Sequence, residues 1–311
     1  MPAVKAANPK AIFGPEAWAE ITRVSRWQGI WLVIHAWAVV ALAAFGGAWA
    51  WQVHWALGLS VTPLVLAIVG GRQLGLSILM HEGAHGLLHP NRTLNNWLGQ
   101  WPSGAATGSD LHAYRAYHLT HHRFTQQPED PDISLSAPFP TSKASLRRKV
   151  IRDLTGQTFY KQRRAQIMAA LSGSTVHRGT MARFLVVQLI LLAVSLLFWG
   201  WTPFLLWLAA LATTFQLFLR IRNIAEHACT TTGSEDPFTH ARTTYANLWE
   251  RATVAPYWVN FHSEHHLFMG IPCYNLAEAH ALLGKGGYHP RMTIEPGYRA
   301  VLRRVTATQP A

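Results

Sequence analysis

Four long apolar runs constrain this chain more than any other feature, because about 20 uncharged helical residues are what a hydrocarbon core requires of a crossing segment. They fall at residues 30–51, 57–78, 184–199 and 204–220. The second continues past Gly70, Gly71 and Arg72 through Leu74 to Met80, so it reads as a helix longer than a bilayer. Arg72 is expected near the inner interface with its side chain reaching the headgroups. Only 14% of the 311 residues are charged, well under the quarter usual in soluble domains.

Basic residues set the expected orientation. The turns at 52–56 and 200–203 hold no Lys or Arg, whereas residues 86–183 carry Arg147, Arg148, Lys149, Arg152, Lys161, Arg163 and Arg164. The positive-inside rule then puts both turns outside and the termini and basic segment in the cytoplasm. The expectation is an all-α integral membrane fold: four transmembrane helices in two hairpins, with a cytoplasmic helical cap, residues 1–311 forming a single domain in a bacterial inner membrane. The +12 charge is absorbed by this topology and no nucleic-acid motif accompanies it. The basic run suits an acidic electron donor or anionic lipid headgroups equally well. The N-terminus lacks a cleavable signal pattern, so the first apolar run is expected to be retained.

Histidine is the second anomaly. Of 17 histidines, nine fall in four clusters beyond the spans: His81 and His85; His118, His121 and His122; His227; and His262, His265 and His266. Helical residues three or four apart reach one centre, and in H-x-x-H-H the last two flank the line of the first, so one box can feed two adjacent metals. Nine imidazoles exceed the ligand set of one metal and suit two with four or five nitrogens each. Asn223, four residues before His227, can complete a shell, directly or through water. Glu82, Glu226 and Glu264 each adjoin a ligand histidine and are placed to accept its other ring N–H; a solvated carboxylate is the ordinary alternative. His89 is the best further candidate by register, although Pro90 signals a helix end. His35 and His54 fall in or near the outer half of the first span and read as satisfied structural groups. With two cysteines only, metal binding must use nitrogen and oxygen.

The boxes His81-Glu-Gly-Ala-His85, His118-Leu-Thr-His121-His122 with Asp130-Pro-Asp132-Ile133, Asn223-Ile-Ala-Glu226-His227 and Asn260-Phe-His262-Ser-Glu264-His265-His266 resemble those of the membrane fatty acid desaturases and related hydroxylases, over nearly the whole chain. The resemblance implies two iron ions held by the nine box histidines, Asn223 acting through water, and O₂ as co-substrate in oxidising a lipid or fatty acyl chain. There is no fused haem or flavin signature, so a separate donor such as a ferredoxin, rubredoxin or cytochrome is implied. A lipid or carotenoid hydroxylase or ketolase would use the same boxes. His81-Glu82-x-x-His85 alone also satisfies the pattern of a membrane zinc metalloprotease, which would leave seven clustered histidines idle. Residues 134–162, including Asp153, match no functional motif.

Overall fold

The computed structural model describes residues 3–307 and is mostly helical. Two short helices, Pro9–Phe13 and Pro15–Ile21, precede α1 (Gln28–Val53) and α2 (Trp55–His85), which are separated by His54 alone and pack along each other. Then follow α3 (Arg92–Gly99), α4 (Leu111–Phe124), α5 (Lys143–Leu154), α6 (Gln157–Leu171) and α7 (Thr175–Phe198). The last apolar run is split into α8 (Thr202–Ala212) and α9 (Thr214–His227). After β1 (Arg242–Thr244) come α10 (His262–Leu267), α11 (Leu276–Lys285) and β2 (Thr293–Glu295).

Among the described residues four helical segments are long and apolar enough to cross a membrane: α1, α2, α7 and the α8–α9 run. α1, α2 and the α8–α9 run extend beyond the apolar runs read from the sequence at both ends, and α7 starts nine residues before its run and ends one residue short of it. Of its most apolar window α2 buries 67%, against 22–39% for the other three, which makes α2 the central helix. Glycine permits the approach. A Cβ on Gly70 would stand 2.2 Å from Thr214 Oγ1, and one on Gly71 2.1 Å from the Ala252 carbonyl oxygen. Thr214, beside the break at Thr213, donates its hydroxyl to the Leu66 carbonyl at 2.6 Å.

Residues 92–107, within the basic 86–183 stretch, pack against the spans. Trp37 on α1 donates to the Pro102 carbonyl at 2.8 Å, and Gln188 on α7 to that of Ala106 at 3.2 Å. Gln188 in turn accepts from Trp207 on α8, whose carbonyl accepts from Gln73 on α2. In an apolar setting each such group must find a partner within the protein. A π-helical turn, Gln100–Gly104, sits inside this segment. The unassigned residues 134–162 brace the bundle. Asp153, fully buried, pairs with Arg220 on α9 and ties α5 to the fourth span.

Arg72 does not reach out to headgroups. It is buried and donates to the carbonyls of Arg251 and Ala252. The fold is also not wholly helical. β1 and β2 pair in parallel, Arg242 with Thr293, Thr243 with Ile294 and Thr244 with Glu295, and Thr243 bridges to Phe261 at the start of α10.

Candidate metal centre

α2 ends where the first box ends. Gly86, at φ 85°, takes the left-handed conformation that stops a helix, and its N–H returns to the Gly83 carbonyl. His81 and His85 therefore occupy the last turn, whereas His89 lies beyond it and accepts the Asn91 N–H through Nδ1. α4 begins at an Asp110 side-chain cap and carries His118, His121 and His122 on its last two turns. α9 ends on His227. Arg242, fully buried, caps that end by donating to the carbonyls of Ala225 (2.9 Å) and Ala228 (2.6 Å). α10 is held to β1 by Ser263, which donates to the Ala241 carbonyl, and by Thr243, which donates to Glu264 at 2.5 Å.

These four helix ends bring all nine box histidines together in two groups. His81, His85, His118, His122 and His265 form one, and His121, His227, His262 and His266 the other; in each the nitrogens lie within 4.8 Å of one another. Both H-x-x-H-H boxes are shared. His118 and His122 serve the first group and His121 the second, while His265 serves the first and His262 and His266 the second.

The donor atoms fit a bound cation. His122 Nε2 lies 2.9 Å from His118 Nε2 and 3.0 Å from His265 Nε2, and the Nε2 atoms of His227 and His262 are 2.9 Å apart. His81, His85 and His266 each have a buried Nε2 without a hydrogen-bond partner. Burial pushes the imidazoles of His118, His122, His262, His265 and His266 well below their ordinary range, so near neutral pH they are uncharged rings, each with a lone pair on one nitrogen. Lone pairs crowded at about 3 Å repel unless a cation sits among them, and ligands on a metal with bonds of about 2.1 Å stand at just such separations.

Several of the other ring nitrogens are held from outside. His121 Nδ1 is 2.7 Å from Asp130, His227 Nδ1 3.1 Å from the His240 carbonyl, and His266 Nδ1 3.2 Å from Thr125 Oγ1. Glu82 lies 3.3 Å from His81 Nδ1 and also accepts the Cys273 N–H at 2.8 Å. Glu226 lies 3.3 Å from His262 Nδ1 and pairs with Arg222. Glu264 is different: its carboxylate is engaged by His280 Nδ1 at 2.6 Å and by Thr243, so it braces α10 against α11. Asp130 is the partner that sequence reasoning did not single out, although it stands in the quoted Asp-Pro-Asp-Ile motif.

Asn223 lies beside the second group and lines a small polar pocket with His121, His227 and His262; its Oδ1 accepts from Arg222 at 3.2 Å. A second, mainly apolar pocket, lined by Ile78, Val259 and Leu276, touches His81, His262 and His265. The zinc-protease pattern is thus embedded in something larger, because His81 and His85 share their group with three further imidazoles and Glu82 is turned to the Cys273 amide. His54 accepts the Ala56 N–H and caps α2. His35 is not at the far end of the first span; its Nδ1 lies 3.1 Å from the Tyr257 hydroxyl, on the side of the histidine groups.

Comparison with known proteins agrees with this geometry. The sequence pattern of the family described as fatty acid desaturase matches residues 54–294, a range that contains every histidine of both groups. The dihydrorhizobitoxine desaturase of Bradyrhizobium elkanii is 25% identical over 264 residues, 77% of this chain and 70% of that one. The chain belongs to the fatty acid desaturase family.

Proposed function

We propose that the chain is an O₂-dependent di-iron oxidoreductase that desaturates a fatty acyl chain or related lipid, with electrons from a separate donor. The observation that carries this reading is the division of nine imidazoles into adjacent groups of five and four. His81, His85, His118, His122 and His265 would hold one iron, and His121, His227, His262 and His266 the other. Asn223 would act through a water, for which its pocket of about 30 Å³ has room. Imidazole serves zinc and copper as well; membership of the desaturase family favours iron. Bound iron, supplied with O₂ and two electrons, provides the oxidant for an unactivated C–H bond. Two hydrogens leave the substrate, two protons and two electrons arrive from outside, and O₂ leaves as two waters.

The residues of the chain position and protect that chemistry. Asp130 and the His240 carbonyl keep the Nδ1–H tautomers of His121 and His227, which leaves each Nε2 free to bind. Ile78, Val259 and Leu276 form an apolar wall beside His81, His262 and His265 that keeps water from those rings. Asp132, Glu226 and Arg222 line the polar pocket of the second group, a route for protons. On this reading two helical hairpins, whose turns hold no Lys or Arg, would leave the centre and the termini at the cytoplasmic face of a bacterial inner membrane, and residues 1–311 would act as one unit. There the basic face of α5, with Arg148, Lys149 and Arg152, is available to an acidic ferredoxin, rubredoxin or cytochrome.

A relative named for desaturating dihydrorhizobitoxine favours desaturation over hydroxylation. Expression in a host lacking the activity, followed by lipid mass spectrometry, tests the proposal. Wild type should yield lipids lighter by one H₂, and His262→Ala none. Lipids heavier by one oxygen would mark a hydroxylase, and unchanged lipids with two irons bound would refute the acyl desaturase.

A further inference from the structure

A cleft of about 270 Å³ opens beside α1 and α2, and Trp31, His35, Arg72, Tyr257, Trp258 and Asn260 line it. Among the described residues no acidic side chain lines it. Arg72 is only 6% exposed, and an arginine buried so deeply is ordinarily paired with a carboxylate. It has no carboxylate partner among the described residues. One of its nitrogens donates to the carbonyls of Arg251 and Ala252 at 2.9 and 3.0 Å, and the guanidinium carbon lies 5.2 Å from the Tyr257 ring centroid. His35 adds a second polar nitrogen, and Arg251 a second cation at the rim. The cleft therefore carries positive charge that no carboxylate among the described residues balances.

Tyr257 lines this cleft and also the apolar pocket against His81, His262 and His265, so one ring stands between the two spaces. Its backbone is held in the left-handed region at φ 52°, and Trp258 follows at φ 58°. Two consecutive non-glycine residues in that conformation are uncommon and persist where the surroundings impose them. Gly75 supplies part of that setting: a Cβ there would come within 2.6 Å of the Tyr257 ring. The hydroxyl donates to the Leu32 carbonyl at 3.2 Å.

We infer that this cleft docks a single-chain amphiphile of the substrate class, its anionic end paired with Arg72 and its apolar chain lying along Trp31, Leu32 and Trp258. The proposed function supplies what happens at the far end of the chain; the docking itself is independent of it. The two sources of such an anionic head are a free carboxylate and the phosphate of a two-chain lipid.

The test uses the purified full chain in phosphatidylcholine nanodiscs. Radiolabelled palmitate is bound and then displaced by unlabelled palmitate, by hexadecanol or by added phosphatidylglycerol. Wild type should prefer palmitate to hexadecanol by at least about tenfold. Arg72→Gln should reduce that preference to near parity, and Arg72→Lys should keep most of it. If Arg72→Gln loses its thermal transition, Arg251→Gln at the exposed rim carries the test, with an expected drop of about threefold. An unchanged preference in folded Arg72→Gln, or phosphatidylglycerol displacing palmitate better than palmitate itself, overturns the inference. Palmitate bound through Arg72 by a chain that oxidises no lipid would sink the enzymatic proposal and leave this one standing. Wild-type lipid oxidation in Arg72→Gln, with anion preference unchanged, would sink this one alone.

Discussion

Replacing Asp130 by Asn changes one atom of a buried carboxylate that serves three donors at once. Oδ1 is 2.7 Å from His121 Nδ1 and accepts the Asp132 N–H at 2.8 Å, and Oδ2 accepts the Gln126 N–H at 2.9 Å. An asparagine offers one oxygen. If its NH₂ faces Gln126, two donors collide and a hydrogen bond worth about 1 kcal/mol is lost. If its NH₂ faces His121, the ring must accept at Nδ1 and carry its proton on Nε2, which removes the lone pair that a metal needs. Loss of such an outer partner lowers metal affinity about 10–100-fold, equivalent to about 1.4–2.7 kcal/mol. His121 belongs only to the four-histidine group, so Asp130→Asn should weaken one of two metals and spare the other. The assay is iron per chain after dialysis against graded chelator, with thermal melting as the control for folding. In a His121→Ala background the further effect of Asp130→Asn on metal should vanish. Two irons held at wild-type affinity, within about twofold, would refute the orienting role assigned to Asp130.

Other substitutions probe separate parts of the molecule. His265→Ala and His266→Ala alter neighbouring residues that serve different groups, so each should deplete one metal and the double variant both, read by metal content. Arg242→Met removes the cap on the end of α9 that holds His227; it should lower stability by about 2–4 kcal/mol and weaken the second metal selectively in the chelator series. Gly71→Ala sets a methyl 2.1 Å from the Ala252 carbonyl oxygen and should cost about 1–3 kcal/mol in detergent unfolding. Gly46→Ala, with nothing within 4 Å, should stay within about 0.5 kcal/mol. Asp153→Ala leaves Arg220 without its buried partner and should lower stability by about 3 kcal/mol with both metals retained.

The spans and boxes were legible in the sequence because both are periodic over short distances. An uncharged run of sufficient length needs no tertiary information, and the spacing of His118, His121 and His122 fixes how a helix presents them, including their division between two centres. The supports were illegible because they arrive from elsewhere in the chain. Asp130 reaches His121 only because the chain leaves the helix after Phe124 and turns through Gln126 at φ 60°. Glu264 adjoins His265 in sequence, yet its carboxylate meets His280 on another helix. β1 and β2 are three residues each, too short for alternation to show. Arg72 fits a headgroup-seeking arginine by position, and only the fold reveals that the 251–258 segment covers it. The inward packing of residues 92–107 was hidden for the same reason, since Pro102 and Ala106 contribute carbonyls that no side-chain pattern records.

The central claim is a two-iron centre built on two groups of histidines, and metal stoichiometry tests it most directly. The purified full chain, reconstituted anaerobically with ferrous iron and washed free of loose metal, should retain two irons per chain by elemental analysis, falling to one in His85→Ala. Retention of a single metal per chain, or of zinc in preference to iron at one site only, would contradict it.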